Sequence, residues 1–242
     1  MLARLSGIKI GDIISITGSG GKTSAMLLLS KELRTYKILI TTTTKIFMPE
    51  EGAFDFYASG FDEGMAISER KDAGIYLIGK WINKEKKISS LKEQELSQLI
   101  KNFQVTIIES DGSKMKFLKG WKENEPVVVK DTTKTMGVIN FKLLGQEINS
   151  DNIHRVQEYV KMSGGEQGEE VTLNQIKNLV LNKDGLFKNS YGEKILLINM
   201  IETSEDERIA LEFFNLFNSK ELENFDKIIV GSIIRNSFKR IF

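Results

Sequence analysis

The fold is decided by Ile13-Ile14-Ser15-Ile16-Thr17-Gly18-Ser19-Gly20-Gly21-Lys22-Thr23-Ser24, which predicts a buried strand, a glycine turn and the start of a helix. The apolar run before the turn is typical of a strand that is covered on both faces. The glycines allow a sharp turn and leave backbone N–H groups open to a ligand. Apolar residues recur beyond it at helical spacing. Since a helix N-terminus binds anions, this arrangement predicts a phosphate site.

The residues of the turn indicate how a nucleotide would be held. We expect the cofactor to be bound by Gly18, Ser19, Gly20, Gly21, Lys22, Thr23 and Ser24. Lys22 would neutralise phosphate charge, and the Thr23 hydroxyl would ligate Mg²⁺. The turn is shorter than the usual G-x-x-x-x-G-K-[ST] motif, because Ile16 stands where the first glycine would be. The dinucleotide pattern G-x-G-x-x-G also fails, at Thr23, and a glycine turn that merely precedes a lysine is the alternative.

The composition restricts the class of protein. Hydrophobic residues are 40% and charged residues 28% of the 242-residue chain, which suits a globular protein with a sizeable core. The net charge of +1 gives no general attraction to nucleic acid or anionic membrane. Cysteine is absent and histidine occurs once, which excludes disulfides and argues against a His-rich zinc site. No apolar run approaches the ~20 residues of a membrane span. We therefore expect a cytoplasmic protein that binds neither nucleic acid nor membrane.

Strand and helix patterns alternate along the chain and predict an α/β fold with a doubly wound, mainly parallel sheet of the P-loop NTPase-like kind. We expect one domain over residues 1–242, with a small β-rich insertion at about 49–88. Buried strands are predicted at Ile13–Ile16, Lys37–Ile40, Val105–Ile108, Met136–Asn140, Lys194–Asn199 and Lys227–Ser232. A helix capped by Ser150 or Asp151 would carry Ile153, Val156 and Val160 on its inner face.

An acidic strand end follows the third of these strands. Glu109 and Asp111 alternate along the chain, so both carboxylates could point to one side. Carboxylates at such a strand end hold Mg²⁺ in phosphate-binding proteins, directly or through water. We therefore expect Thr23, Glu109 and Asp111 to bind the metal and Lys22, Glu109 and Asp111 to be catalytic. A strand followed by an ordinary Asp-Gly turn is the alternative.

Basic and hydroxyl residues indicate a second, substrate-binding region. Thr43 and Lys45 follow a strand whose carboxyl end would lie beside the glycine turn, and Lys114 belongs to a lysine cluster after the acidic strand end. His154, which we place in the first turn of a helix, would be neutral there and is a candidate catalytic group, with Arg155 as a substrate contact. Solvated lysines and a structural histidine are the alternatives.

The sequence resembles the YqeC family, accessory proteins for selenium-dependent molybdenum hydroxylases, over nearly the whole chain. The resemblance is carried by Thr17–Ser24, Thr41–Ile46, Glu109–Ser113, Asn124–Val127, Gly137–Asn140, Leu144–Gly145 and His154–Arg155. The short glycine turn also looks like that of the Mur ligases and folylpolyglutamate synthases, in which a strand-end Glu binds Mg²⁺. Glu109 would take that position. The further C-terminal domain of those enzymes is not recognisable here.

The resemblance implies a role in making or inserting a selenium-containing cofactor. The small anionic substrate would then be a selenium species, and a molybdenum hydroxylase would be the protein partner. Similar proteins place an Asn-Lys-x-Asp-like tetrad where this chain has Asn199-Met200-Ile201-Glu202, so Asn199 is a candidate cofactor contact and the lost lysine favours ATP over GTP. We expect Mg²⁺-dependent phosphoryl transfer or hydrolysis. A nucleotide-gated chaperone and an ATP-dependent amide ligase are the alternatives.

Overall fold

The computed structural model describes the whole chain, Met1–Phe242, which forms eight α-helices and thirteen β-strands. The helices are α1 Leu2–Ser6, α2 Lys22–Glu32, α3 Phe61–Ser68, α4 Glu93–Ile100, α5 Val156–Ser163, α6 Leu173–Leu181, α7 Ser204–Asn215 and α8 Ser219–Leu222. The strands are β1 Ile13–Gly18, β2 Lys37–Thr42, β3 Lys45–Phe47, β4 Phe56–Ser59, β5 Gly74–Ile82, β6 Lys87–Ser89, β7 Val105–Glu109, β8 Leu118–Lys119, β9 Lys134–Ile139, β10 Ile153–His154, β11 Glu193–Ile198, β12 Lys227–Ser232 and β13 Ser237–Arg240.

Eleven strands form one mostly parallel sheet. Their order is β13-β12-β11-β9-β1-β7-β2-β5-β6-β3, and β4 pairs with β5 beside this path. The pairs from β12 through to β5 are all parallel, whereas β13, β6 and β3 are antiparallel additions at the two ends. The predicted α/β fold with a mainly parallel sheet is therefore confirmed.

Helices cover both faces of the sheet, because successive side chains along each strand point to opposite sides. Ile14 and Ile16 of β1 pack with Met26 of α2 on one face. On the other face, Ile108 of β7 packs with residues of α4, and Ile198 of β11 packs with residues of α5, α6 and α7. The parallel strands are buried on both sides, which accounts for their continuous apolar sequences.

The segment predicted as a β-rich insertion is in part a continuation of the main sheet. The first half of β5 pairs in parallel with β2. In the sequence, β4 and α3 come between these two strands, and β4 pairs with β5. Only the hairpin of β5 with β6, extended by β3, stands apart as antiparallel structure. The sequence pattern here is weak because β5 has a long apolar run that serves the main sheet and the hairpin in succession.

The helix predicted from Ser150 or Asp151 is wrong in its first turn. Ile153 and His154 instead form β10, which pairs in parallel with β8, and α5 begins only at Val156. Arg155 adopts a left-handed conformation with φ of 59°, which a helix interior does not allow. The helical spacing of Ile153 and Val156 reflects burial in the same cluster, not one continuous helix.

The lead-in before β1 forms the short helix α1, which packs against α2. The backbone N–H groups of Leu2 and Ala3 donate to the two carboxylate oxygens of Glu32, at 2.9 and 2.8 Å. No helix in the protein combines the length and the hydropathy that crossing a bilayer requires.

Candidate functional site

A cavity of about 860 Å³ opens at the carboxyl ends of β1, β2 and β7. We define the glycine loop as Gly18–Thr23. The cavity floor is formed by its second part, Gly20–Thr23, together with Glu109 at the end of β7. One wall is formed by the antiparallel strand pair β3–β6, and the other by the basic loop, Gly112–Phe117. Parallel sheets bind ligands at this edge, because the strand ends and the helix N-termini converge there.

The glycine loop needs glycine because asparagine side chains press on it from behind. A Cβ atom on Gly20 would lie 1.8 Å from Asn140 Nδ2, and one on Gly21 would lie 2.4 Å from Asn199 Nδ2. Both glycines also have positive φ angles, 72° and 134°. The loop therefore holds its shape before any ligand arrives.

Both polar side-chain atoms of Asn199 bind backbone groups of the protein itself. Its Nδ2 donates to the Gly20 carbonyl at 3.0 Å, and its Oδ1 accepts from the backbone N–H of Ile233 at 3.1 Å. It does not line the cavity, whereas the next residue, Met200, does. Asn199 thus supports the glycine loop from behind, and it is not among the residues that line the cavity.

Lys22, Thr23 and Glu109 come together on the cavity floor. The Thr23 hydroxyl donates to Glu109 Oε2 at 2.6 Å, and Lys22 Nζ lies 3.8 Å from Glu109 Oε1. The pairing of β1 with β7 places Glu109 beside Ile16, directly before the loop. Burial raises the pKa of Glu109, and the charge of Lys22 and the Thr23 hydroxyl oppose that rise.

Asp111 lies behind the floor instead of in the cavity. Its Oδ2 accepts from the Gly18 N–H at 3.1 Å, from Trp121 Nε1 at 2.7 Å and from Lys119 Nζ at 3.3 Å. Its Oδ1 makes no hydrogen bond and lies 3.3 Å from Lys22 Nζ. Although burial opposes ionisation, the positive charges of Lys22 and Lys119 hold the pKa of Asp111 below its usual value. Asp111 is placed to anchor the loop and Lys22, not to reach a ligand.

Lys119 is a completely buried cation that lies between Asp111, behind the cavity floor, and Glu125. It contacts Asp111, donates to the Gly112 carbonyl at 2.6 Å and lies 3.4 Å from Glu125. Glu125 in turn accepts a two-pronged hydrogen bond from Arg155, of which the Nη2–Oε1 contact is 2.6 Å. Burial lowers the pKa of Lys119 to about 8, although the Asp111 carboxylate favours the charged form.

The second region of the site, which we call the basic region, contains most of the residues that were predicted to bind substrate. Lys114, His154 and Arg155 all line the cavity, and so does Lys45, whose amine is 2.8 Å from Glu85. His154 belongs to β10 and not to a helix, so a helix N-terminus does not affect its charge as expected. Burial lowers the pKa of His154 to about 4, assisted by the positive charges of Lys119 and Lys114.

Besides Asp111 and Asn199, the predicted contacts Gly18, Ser19 and Thr43 also do not line the cavity. The Thr43 hydroxyl donates to the Val127 carbonyl at 2.7 Å, and the Ser19 hydroxyl donates to the Phe117 carbonyl at 2.8 Å. Both tie neighbouring loops together. Ser24, in contrast, lines the cavity beside Thr23.

Sequence reasoning missed several residues of the site. Phe47 and Lys87 line the cavity from the hairpin, and Trp121 and Asn140 hold Asp111 and the loops from behind. A signal existed for Asn140 and for Glu125, since both lie in segments that resemble the YqeC family. No periodicity or spacing pointed to Phe47, because β3 has only three residues.

Comparison with known proteins assigns the family. The YqeC protein family model matches residues 14–157, which include the glycine loop, the acidic strand end and His154. A relative described as "Uncharacterized protein YqeC" from Escherichia coli (strain K12) is 28% identical over 182 residues, covering 73% of this chain and 70% of its own length. No solved structure matches the chain. The protein belongs to the YqeC family.

Proposed function

We propose that this protein binds a Mg²⁺–nucleoside triphosphate, ATP in preference to GTP, and transfers or hydrolyses its terminal phosphoryl group. The proposal is carried by the hydrogen bond of 2.6 Å between Thr23 and Glu109, at the start of a helix that follows a glycine loop. Phosphate oxygens suit the open N–H groups of such a helix start. In this respect the site is P-loop NTPase-like.

The residues present fit a magnesium ion. Mg²⁺ prefers hard oxygen ligands and keeps waters and substrate phosphates in its shell, so one carboxylate and one hydroxyl are an adequate protein contribution. Glu109 and Thr23 would hold it, since their oxygens already lie side by side. When bound, the ion would polarise the phosphate and neutralise its developing charge.

The side chain of Lys22 would turn from the Gly18 carbonyl to the phosphates. Its amine now donates to the Gly18 carbonyl at 2.8 Å and is only 3% exposed, so it lies on the cavity floor without a solvent shell. A lysine in this position supplies a point charge to the β- and γ-phosphates. The exchange of a carbonyl for a phosphate partner favours binding, because the phosphate carries a full negative charge that the neutral carbonyl lacks.

The basic region favours transfer over simple hydrolysis. Lys114 and Arg155 give the far side of the cavity a positive charge that suits an anionic acceptor, and His154 is a neutral base in the same cavity. The acceptor's nucleophilic atom would form a bond to the γ-phosphorus while the bond to the β–γ bridging oxygen breaks. The diphosphate would leave, and His154 would take the proton from the nucleophile.

The biological setting follows from resemblance alone. The likeness to accessory proteins of selenium-dependent molybdenum hydroxylases suggests that the acceptor chemistry serves maturation of such an enzyme, with a selenium species as one candidate anion. A nucleotide-dependent complex with a hydroxylase would support this setting.

Calorimetric titration with ATP, GTP, ADP and GDP, each with and without Mg²⁺, tests the proposal. We expect Mg²⁺–ATP to bind, and Lys22→Ala to weaken binding by about 1–3 kcal/mol, the scale for losing a hydrogen bond to a charged group. Lys31→Ala, an exposed lysine of the same helix, is the matched control and should bind as the wild type does. Equal affinity in a folded Lys22→Ala variant would contradict the proposal.

A further inference from the structure

Exposed apolar side chains gather around the basic region of the cavity. Of the eleven large hydrophobic residues that are exposed in the protein, three line this cavity: Phe47, Met115 and Phe117, which are 55%, 82% and 39% exposed. Single exposed apolar residues need no explanation, but a group of them around a concave site marks a binding surface. An inorganic anion would gain nothing from these side chains.

Phe47 lines the cavity from the antiparallel strand pair β3–β6. Ile46 is buried while Lys45 and Phe47 on either side of it are exposed, so both flanking side chains share the outer face of β3. Phe47 pairs across the hairpin with Lys87, whose amine lies 5.0 Å from the ring centroid. Since the Lys87 amine also pairs with Glu85 at 3.2 Å, the group that this wall offers to a ligand is the Phe47 ring.

The opposite wall is fixed by its own backbone. Phe117 is held to the glycine loop, since its carbonyl accepts from Ser19 Oγ at 2.8 Å and from Asn140 Nδ2 at 3.0 Å. Lys114 and Met115 both adopt left-handed conformations, with φ angles of 49° and 63°. Left-handed residues other than glycine cost free energy, and they cluster at active sites and ligand-binding segments.

Charge completes the site. Lys114, His154 and Arg155 lie in the same cavity as the three apolar side chains, and the acidic residues that line it are Glu109 and Glu125. Glu109 is engaged by Thr23, and Glu125 by Arg155. Lys114 is near enough to His154 to depress its pKa, so this wall is positive toward an incoming ligand.

We propose that the acceptor of the phosphoryl group is an organic anion with a flat apolar ring, and not a small inorganic ion. The ring would pack between Phe47 on the hairpin and Met115 and Phe117 on the basic loop. Its anionic group would be bound by Lys114. This inference rests on the proposed function, because it names the class of molecule that the second region of the same cavity takes.

Binding of two probes to protein saturated with Mg²⁺ and a non-hydrolysable ATP analogue tests the proposal. We expect 1-naphthyl phosphate to bind about tenfold more tightly than inorganic phosphate, since the ring buries apolar surface that the inorganic ion lacks. Phe47→Ser should abolish this preference, Phe47→Tyr should keep it, and Lys114→Ala should weaken both probes. Leu211→Ser, which removes another exposed apolar side chain outside this cavity, is the control and should change neither.

Equal affinity for the two probes, or no binding of either, would overturn the proposal. It would also be overturned if 1-naphthyl phosphate bound only to protein without the ATP analogue, because the ring would then occupy the nucleotide's own site. The same titrations on protein without nucleotide separate this inference from the proposed function. Failure of the analogue to bind contradicts the function, whereas a missing ring preference contradicts only the acceptor class.

Discussion

The contact between Thr23 and Glu109 joins a helix start to a strand end through one short hydrogen bond. If these two oxygens hold Mg²⁺, Glu109→Gln should lower Mg²⁺-dependent phosphate release by at least about a hundredfold, because the metal contributes several kcal/mol of charge stabilisation. Gln keeps the shape of Glu and the acceptor for Thr23, so circular dichroism should be unchanged. Release at the wild-type rate in saturating Mg²⁺ would mean that the strand end is structural.

Lys119 controls how freely Lys22 can leave Asp111. Both amines lie 3.3 Å from the buried carboxylate, which therefore keeps one cation when Lys22 turns to a phosphate. In Lys119→Met, the departure of Lys22 would leave Asp111 charged and unpaired, a state that costs several kcal/mol in a protein interior. We expect Lys119→Met to weaken Mg²⁺–ATP binding at least about tenfold, since this cost opposes binding.

The double variant Asp111→Asn/Lys119→Met distinguishes this explanation from damage to the fold. With the Asp111 carboxylate gone, no unpaired anion remains behind the loop when Lys22 turns to a phosphate, and affinity should return to within about threefold of the wild type. Calorimetry on the wild type, the two single variants and the double variant completes the cycle. Additive losses in the double variant would refute the coupling between Lys119 and Lys22.

His154 makes the stability of the protein depend on pH. Its pKa of about 4 in the folded chain lies below the ordinary value of 6.5, so between these values the unfolded chain binds a proton that the folded chain does not. Stability contributed by neutral His154 is therefore complete above pH 6.5 and is lost as pH falls toward 4. Because the side chain is partly exposed, we expect a change of only about 1 kcal/mol between pH 7.5 and 5.

Urea denaturation of the wild type and of His154→Asn at both pH values isolates this contribution. Other titrating groups act on both proteins, so the difference between the two free energies of unfolding should shrink by that amount at pH 5. A difference that does not change with pH would mean that His154 is protonated in the folded protein.

The glycine loop is a preformed element, and its sequence requirement can be measured. At Gly20, φ is 72° and an added Cβ would meet Asn140, whereas nothing lies within 4 Å of an added Cβ at Gly112 and its φ is ordinary. Gly20→Ala should lower the free energy of unfolding by about 1–2 kcal/mol through left-handed strain alone. Gly112→Ala should stay within about 0.5 kcal/mol of the wild type. Equal effects in urea denaturation would contradict a strained loop.

Local patterns predicted those elements whose causes are local. The apolar run of β1, the glycines and the apolar residues of α2 all lie within twenty residues, so the strand, the turn and the helix could be predicted from the sequence alone. Glu109 followed because a parallel strand ends at the same edge of the sheet. The pairing of β8 with β10 left no such trace, because two-residue strands from Leu118 and Ile153 meet across thirty-five residues of sequence. His154 was therefore assigned to a helix.

Side-chain partners were harder to predict than positions. Asp111 has the same chemistry and nearly the same place in the sequence as Glu109, yet it accepts from Trp121 and Lys119 behind the sheet edge. Asn199 stands at a strand end, as a base-binding residue would, but its amide nitrogen donates to Gly20 and its amide oxygen accepts from Ile233. Nothing in the linear sequence distinguishes a strand-end residue that faces a ligand from one that supports a loop.

The glycine loop lies where the two halves of the molecule join. Strand β1 is central in the sheet, with β7 and β2 on one side and β9 and β11 on the other. One hydrophobic cluster continues across it, from Ile38 and Ile75 through Met26 to Ile195 and Ile229. Neither half can unfold without exposing this shared cluster, so the chain should unfold in a single cooperative transition.

If the chain unfolds as one unit, a ligand bound at the glycine loop should stabilise the whole molecule. A ligand that binds only the folded chain adds about 2.7 kcal/mol of stability at a concentration one hundred times its Kd. For a protein of this size, that corresponds to a rise in Tm of about 5–10 °C. We therefore expect calorimetry to show one transition that Mg²⁺–ATP moves upward as a whole, with a much smaller shift in Lys22→Ala at the same nucleotide concentration. Two separate transitions would mean that the halves fold independently, and an equal shift in the variant would mean that the nucleotide binds elsewhere than the glycine loop.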